Sequence, residues 1–337
     1  MTQKYRRAVS SMWQQRLFHY FPNIAIGLLL VALPQFTDNT VQSLITKVLI
    51  YAVFAMSLNI IFGYTGLLSL GHAAFFGVGG YTAGILITRY EITNFWVVAP
   101  SSIVVVAIFA AVIGFIALRV SGIYFLLLTM AMGQLLFGIA LKWRELTGGT
   151  MGLAGMSLPD LYIPGFTMDT GSFYYLVFAV FIICIFLIYK LINSPFGYAL
   201  RGIRDDEHRM RHLGYNTWLY KYIAFLIAGS FGGISGVLFG YYNSLLVPVH
   251  LGITTSAMVM LMVIIGGERV IFGPVLGAAV IVLLQYYSSI YIPERWPLLL
   301  GGVFILSVIF LRGGIGSYLA RLWERFTFRY SYGSNKN

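Results

Sequence analysis

Long apolar runs recur along the whole length of this chain, and no other feature restricts its fold as strongly. Of its 337 residues, 59% are hydrophobic and only 10% are charged. A soluble domain usually carries about 25% charged residues, so a water-exposed fold cannot absorb this composition. Runs near the roughly 20 residues that a helix needs to cross a bilayer appear from end to end. The sequence therefore predicts an all-α polytopic membrane protein without a separately folded soluble domain.

About ten transmembrane helices are predicted from these runs. They cover residues 21–37, 42–62, 70–88, 96–118, 122–141, 172–189, 221–245, 254–267, 274–292 and 297–311. The eighth run is the shortest and fits either a full span or a re-entrant or broken helix. The first run has no small-residue cleavage site after it, so it is interpreted as a retained helix and not as a signal peptide.

Basic residues are divided unequally between the two sides that alternating loops define. One side has 17 of the 22 Lys and Arg residues and 5 of the 11 acids, whereas the other has 4 basic and 6 acidic residues. Lys47, placed near a span end, completes the basic count. Cytoplasmic loops of membrane proteins carry such an excess. The net charge of +11 therefore indicates orientation, with both termini cytoplasmic, and not binding to nucleic acid.

Ten spans divide into two groups of five, and an odd group size inverts the second group relative to the first. Transporters with inverted repeats place the substrate path at the repeat interface. A short internal echo, Phe62-Gly63-Tyr64 against Phe239-Gly240-Tyr241, falls in corresponding spans. The predicted parts are an interfacial or cytoplasmic N-terminal segment, a transmembrane domain and a cytoplasmic C-terminal tail, at 1–20, 21–311 and 312–337.

A glycine-rich run at 63–81 separates the second and third predicted spans. Its glycines permit either close helix packing or a broken helix that lines or hinges a path, and the sequence leaves both open. No predicted span contains Asp or Glu, so the path suits neutral or zwitterionic solutes. The polar residues considered for it are Tyr64, Ser69, His72, Gln134 and Asn243. Helix–helix hydrogen bonding is the alternative role for each embedded polar residue.

No enzyme or metal signature is found in the sequence. The phosphate-binding pattern G-x-x-x-x-G-K-[ST] does not occur, so any ATP must bind to another chain. Cys184 stands alone within a predicted span. His208 and His212 are four residues apart but lack the adjacent Glu of a zinc-binding H-E-x-x-H motif. We therefore expect no catalytic residues, no metal and no cofactor in this chain.

The segment 190–221 is the most highly charged connection and is predicted to lie in the cytoplasm. Ser194-Pro195 is a suitable helix start, residues 197–213 can form one helix, and Gly214 can end it. An apolar stripe is expected from Leu200, Ile203, Met210 and Leu213. Residues expected to remain available to a partner are Arg201, Arg204, Asp205 and Glu207. Binding to anionic lipid alone is the alternative, although three consecutive acids oppose it.

Three motifs, in this order, resemble the LivM-like permeases of bacterial branched-chain amino acid ABC transporters. They are L-N-I-I-F-G-Y-T-G-L-L-S-L-G-H-A-A-F-F-G-V-G-G-Y at 58–81, S-P-F-G-Y-A-L-R-G-I-R-D-D-E at 194–207 with L-G at 213–214, and G-G-E-R-V-I-F-G-P-V-L-G-A at 266–278. The resemblance covers roughly residues 40–312. His208-Arg209 and Glu268-Arg269 depart from the family pattern, which has a small residue after the Glu and a Gly-Gly-x-Gly-like turn.

The resemblance implies a permease subunit in the bacterial inner membrane that imports branched-chain or other small neutral amino acids. It implies a second related permease, two cytoplasmic ATPases that hydrolyse ATP, an extracytoplasmic substrate-binding protein and contact with membrane lipid. It also implies an ATPase-coupling role for Arg201, Arg204, Asp205, Asp206, Glu207 and Gly214. The alternatives are a stand-alone secondary transporter or channel, or an ABC permease for urea, short amides or small organic acids.

Overall fold

The computed structural model describes residues 37–162, 168–268, 270–291, 296–310, 313–316 and 318. Its helices are α1 Asn39–Phe62, α2 Ala73–Tyr90, α3 Phe95–Ala117, α4 Ile123–Lys142, α5 Arg144–Thr147, α6 Thr170–Ile192, α7 Pro195–Asp205, α8 Glu207–His212, α9 Thr217–Asn243, α10 Ile253–Gly266, α11 Gly273–Tyr291 and α12 Trp296–Phe310. The predicted N-terminal segment, nearly all of the first predicted span and most of the C-terminal tail lie outside the described residues.

Every predicted span from 42–62 onward coincides with one helix to within about four residues at each end. Six of these helices are long and apolar enough to cross a membrane: α1, α3, α4, α6, α9 and α11. Single apolar runs therefore became single helices, and α3 continues through Pro100 in its second turn. The all-α polytopic membrane class predicted from the sequence is confirmed.

Helices α1 and α9 form the centre of the bundle. In the most apolar 18-residue stretch of each long helix, 78% of the residues of α1 and 67% of those of α9 are buried, against 28–39% in the other four. Helix α2 packs so closely against α9 that a side chain on Gly79 would overlap the backbone of Gly233. Small residues allow this backbone approach. The outer helices instead expose apolar side chains, which suits a surface covered by lipid or by another membrane subunit.

Two non-helical connections interrupt the central helices. Residues 63–72 join α1 to α2, and residues 244–252 join α9 to α10. Helix α10 has only 14 residues, about 21 Å of helix, and cannot cross a hydrocarbon layer of roughly 30 Å. Its first turn meets the start of α2, where the Ala73 amide donates to Ser256 Oγ at 3.0 Å. The eighth predicted span is therefore a short helix that begins within the bundle.

The connections gather at two opposite ends of the bundle. At one end, which we call the basic end, Arg204 contacts both Gly63 and Glu268. At the other end, strands β1 Leu153–Ala154 and β2 Leu245–Leu246 pair antiparallel. The same end has a bridge between Asn94 and Asp160. The charged segment 190–221 and the turns near residues 63 and 268 therefore share one end of the molecule.

Candidate coupling junction and embedded polar sites

The charged segment folds into two helices and not into the single helix expected over 197–213. Ser194 begins α7, where its Oγ accepts from the Gly197 amide, and Pro195 occupies the first turn. Asp206 is extended, and its carboxylate accepts from the Arg209 amide at 3.0 Å, so it caps α8. Capping by Asp competes with helix continuation, which explains the break. Gly214, with φ of +87°, follows the end of α8 as predicted.

Arg204 joins the three motifs that carry the family resemblance. Its guanidinium donates to the Gly63 carbonyl and pairs with the Glu268 carboxylate, although these residues are 141 and 64 positions away. Gly66, with φ of +77°, lies against the side chain, where a Cβ would be 3.1 Å from Arg204 Cγ. The Arg204 side chain is only 20% exposed. We call these four residues the coupling junction.

The junction corrects one expectation from the sequence and adds one contact. Arg204 is not free for a partner, because both of its identified acceptors belong to this chain. Glu268, which the sequence interpretation considered only as part of a short turn motif, pairs with a distant helix. The variable position of the family's Gly-Gly-x-Gly-like turn thus supplies the junction's negative charge. Sequence spacing gave no signal for this pairing.

Arg201 lies beside the junction and anchors its surroundings. It donates to the Ile192 carbonyl at 3.2 Å. Its guanidinium carbon lies 5.5 Å from the ring centre of Tyr64 and 5.2 Å from that of Tyr198. Cation–π contacts of this kind are stabilising, most of all when shielded from water. Tyr64 is buried, and the structure places it under Arg201 at the basic end.

Glu207 holds α8 against the start of α9. Its carboxylate accepts from Arg211 Nη2 at 2.6 Å, from Thr217 Oγ1 at 3.0 Å and from Lys221 Nζ. Burial alone would raise the pKa of Glu207, but these hydrogen bonds and the Lys221 charge outweigh it and lower the pKa to about 2. Glu207 is therefore ionised and already engaged, which corrects the expectation that it remains available.

The surface open to a partner lies beyond these internal contacts. Leu200 and Ile203 pack into the chain, whereas Leu213 is 67% exposed, so the expected apolar stripe is divided between the core and the surface. We call the exposed residues around α8 the docking surface. It comprises Asp205, His208, Arg209, Arg211, His212, Leu213, Gly214 and Tyr215. Asp206 contributes its cap to α8 and is half-buried.

Ser69 and His72 are buried in the connection between α1 and α2. His72 Nε2 lies 2.8 Å from Ser57 Oγ, and the imidazole stacks on Phe54 with ring centres 5.6 Å apart. His72 Nδ1 and Ser69 Oγ have no hydrogen-bond partner among the described residues. This pair adjoins the meeting point of α2 and α10, where the Ala73 amide contacts Ser256 Oγ.

Gln134 and Asn243 are separate from that pair. Gln134 is half-buried on the outer face of α4, in a shallow depression with Lys142 and Trp143. Asn243 is exposed at the end of α9 and donates to the Leu245 carbonyl at 2.7 Å. The structure therefore does not bring the five path candidates together, and their role in transport stays a prediction.

Lys47 was predicted to lie near the end of a span, and the sequence analysis did not include it among the candidate path residues. It is the ninth residue of α1, and its Nζ donates to Gln285 Oε1 of α11 at 3.3 Å. One turn earlier on α1, Ser43 Oγ lies 3.0 Å from the Tyr242 hydroxyl. A lysine inside the predicted span 42–62 was the available signal, because ionisable residues at membrane depth are commonly functional.

Comparison with known proteins supports the family resemblance that the three sequence motifs indicate. The sequence profile described as "Branched-chain amino acid transport system / permease component" matches residues 40–309. The high-affinity branched-chain amino acid transport system permease protein LivM of Escherichia coli (strain K12) is 29% identical over 87% of this chain and 73% of that protein. The probable branched-chain amino acid transport permease protein LivM of Methanocaldococcus jannaschii is 24% identical over 72% of this chain and 79% of that protein. The corresponding LivH of Escherichia coli (strain K12) is 22% identical over 73% of this chain and 84% of its own length. No solved structure matches the chain.

Proposed function

Since the chain belongs to the family of branched-chain amino acid transport system permease components, we propose that it is the LivM-type subunit of a bacterial ABC importer. Its identity to LivM exceeds its identity to LivH, at 29% against 22%. That difference favours a heterodimer in which a LivH-type chain is the second permease. Branched-chain or other small neutral amino acids are the proposed substrates.

The proposed topology has ten spans in two inverted groups of five within the cytoplasmic membrane, with the connection 244–252 and α10 together forming the eighth. Interrupted helices at corresponding positions support it, because the connections 63–72 and 244–252 enter from opposite ends of the bundle. The helices that follow them start side by side, at Ala73 and Ser256. The excess of Lys and Arg at the basic end supports a cytoplasmic position for that end and for both termini.

Two partner ATPases are proposed to hydrolyse ATP and to push on the docking surface, since the chain has no phosphate-binding motif of its own. A substrate-binding protein would deliver the solute at the opposite end. The two contacts of Arg204 are the observation that supports this proposal. A displacement of α7 acts at once on the α1–α2 connection through Gly63 and on the α10–α11 turn through Glu268. One guanidinium thereby couples the ATPase contact to both interrupted regions.

Arg204→Lys in the reconstituted complex tests this coupling. A lysine is a point charge and cannot donate in a fork to both acceptors. We expect ATP-driven leucine uptake to fall by about tenfold or more, the effect of about 1.4 kcal/mol, while the subunits remain associated and ATP hydrolysis continues. Arg119→Gln is the matched control, because Arg119 is exposed at the same end and its guanidinium packs on Phe115 without joining distant segments among the described residues.

Normal uptake by the Arg204→Lys complex would contradict the coupling role. Leucine uptake into liposomes by this chain alone, without ATP or partners, would instead support a secondary transporter or channel. Competition by unlabelled urea, acetamide and acetate distinguishes the proposed amino acid substrate from the other small solutes. Effective competition by urea or acetamide would contradict an amino acid importer.

A further inference from the structure

Lys47 lies well inside the bundle at the end opposite the coupling junction. Eight residues separate it from the start of α1, a distance of about 12 Å along the helix axis. Its ammonium group is directed to Gln285 on α11, with Nζ and Oε1 3.3 Å apart. Gln285 is itself six residues from the end of α11. Both side chains are half-buried, so the pair is partly shielded between α1 and α11.

Lys47 has no carboxylate partner among the described residues. The four ion pairs there join Arg204 to Glu268, Arg209 to Asp206, and Arg211 and Lys221 to Glu207. All of them are at the basic end. A cation inside a membrane protein is costly unless an anion or strong dipole compensates it. Such residues commonly mark a substrate or ion pathway, and a transported anion would supply the missing charge.

The groups around Lys47 are neutral hydrogen-bonding groups. Ser43, one turn away on the same face of α1, contacts the Tyr242 hydroxyl. Ser288, one turn beyond Gln285, has a buried hydroxyl without a partner in the described part of the chain. His250 packs on Phe239, with ring centres 4.8 Å apart.

We propose that Lys47 binds the carboxylate of the transported solute, with Gln285 as the residue that positions its ammonium group. One positive charge among neutral donors and acceptors fits one monovalent carboxylate. This inference rests on the proposed permease function and makes it more specific. Solutes with a carboxylate are accepted, whereas urea and simple amides lack the group that pairs with Lys47.

Lys47→Gln in the reconstituted complex tests the inference, with labelled leucine as the probe. We expect the KM for leucine to rise about ten- to a hundredfold, as is typical when a hydrogen bond to a charged group is lost. Adding Gln285→Lys to this variant returns an ammonium group to the pair from α11 and should recover much of the affinity. Lys142→Gln, at an exposed lysine that ends α4, is the matched control and should leave the KM unchanged.

The second variant, Gln285→Glu, keeps the inference testable if Lys47→Gln does not fold. A carboxylate at 285 would pair with Lys47 and compete with the solute, so the KM should again rise. An unchanged KM in both Lys47→Gln and Gln285→Glu would overturn the carboxylate site while leaving the permease function intact. Absence of leucine uptake by the unmodified complex would overturn the proposed function and this inference together.

Discussion

Replacing Glu207 by Gln measures how firmly α8 is attached to α9, because one carboxylate joins the two helices. Three donors converge on it, from Arg211, Thr217 and Lys221. Gln preserves the size of the side chain but removes its charge. It also turns one acceptor oxygen into a donor, which the three donors cannot use. We therefore expect α8 to separate from α9 more often, without loss of the helical bundle.

The size of the effect follows from the lowered pKa of Glu207. A change from 4.5 to about 2 corresponds to at most about 3 kcal/mol. The side chain is 25% exposed, and solvent screening reduces this contribution to about 1–2 kcal/mol. Because the pKa is lowered by folding, the stabilisation is complete above about pH 4.5 and is lost as the pH falls toward 2. The difference between Glu207 and Gln should shrink over the same interval.

Hydrogen exchange of the purified chain at pH 7 provides the assay. Amides in 207–216 should exchange about 5- to 30-fold faster in Glu207→Gln, as expected for local opening made easier by 1–2 kcal/mol. Asp205→Asn is the control, since it removes a charge from an exposed neighbouring side chain. Equal exchange in Glu207→Gln and the parent chain, or equal acceleration in both variants, would refute the attachment by Glu207.

Three further changes test the packing of the bundle. Gly63→Ala forces a methyl group into the Asn59 side chain and should cost about 1–3 kcal/mol, seen as a lower thermal unfolding temperature in detergent. Ser57→Ala removes the hydroxyl 2.8 Å from His72 Nε2 and should cost about 1–3 kcal/mol in the same measurement. Cys184, which is 2% exposed, should react with a water-soluble maleimide far more slowly than a cysteine introduced at Asp205.

Each of these expectations has a clear contrary result. An unchanged unfolding temperature for Gly63→Ala would mean that the connection after α1 can move aside. Unchanged stability of Ser57→Ala would mean that His72 finds another partner. Rapid labelling of Cys184 would place water at a side chain that the structure shows as buried.

The helices were predictable from the sequence because a lipid-covered segment cannot hydrogen-bond its backbone to water. A run such as 274–292 must satisfy its backbone hydrogen bonds internally, so it becomes a helix of nearly the same bounds. The coupling segment was less predictable. Asp206 can continue a helix or cap a new one, and the local sequence does not decide between these. In the fold, the neighbouring Glu207 pairs with Lys221 of α9.

Pairings between distant residues could not be read from the sequence. Arg204 and Glu268 meet because α7 packs under the turn after α10, and no spacing rule connects positions in different loops. Lys47 was misjudged for a different reason. A lysine near the end of an apolar run is commonly drawn to the membrane surface, but here Gln285 holds it within the bundle.

The meeting of α2 and α10 has a consequence for electrical insulation. Each helix start carries roughly half a positive charge from its aligned peptide dipoles, and two such starts adjoin within the bundle. Positive helix ends of this kind repel cations and protons from a pore. In the proposed importer, a path that passes these two helix starts would be sealed against proton leakage. The barrier comes from the backbone, so substitution of side chains near Ser256 would leave most of it in place.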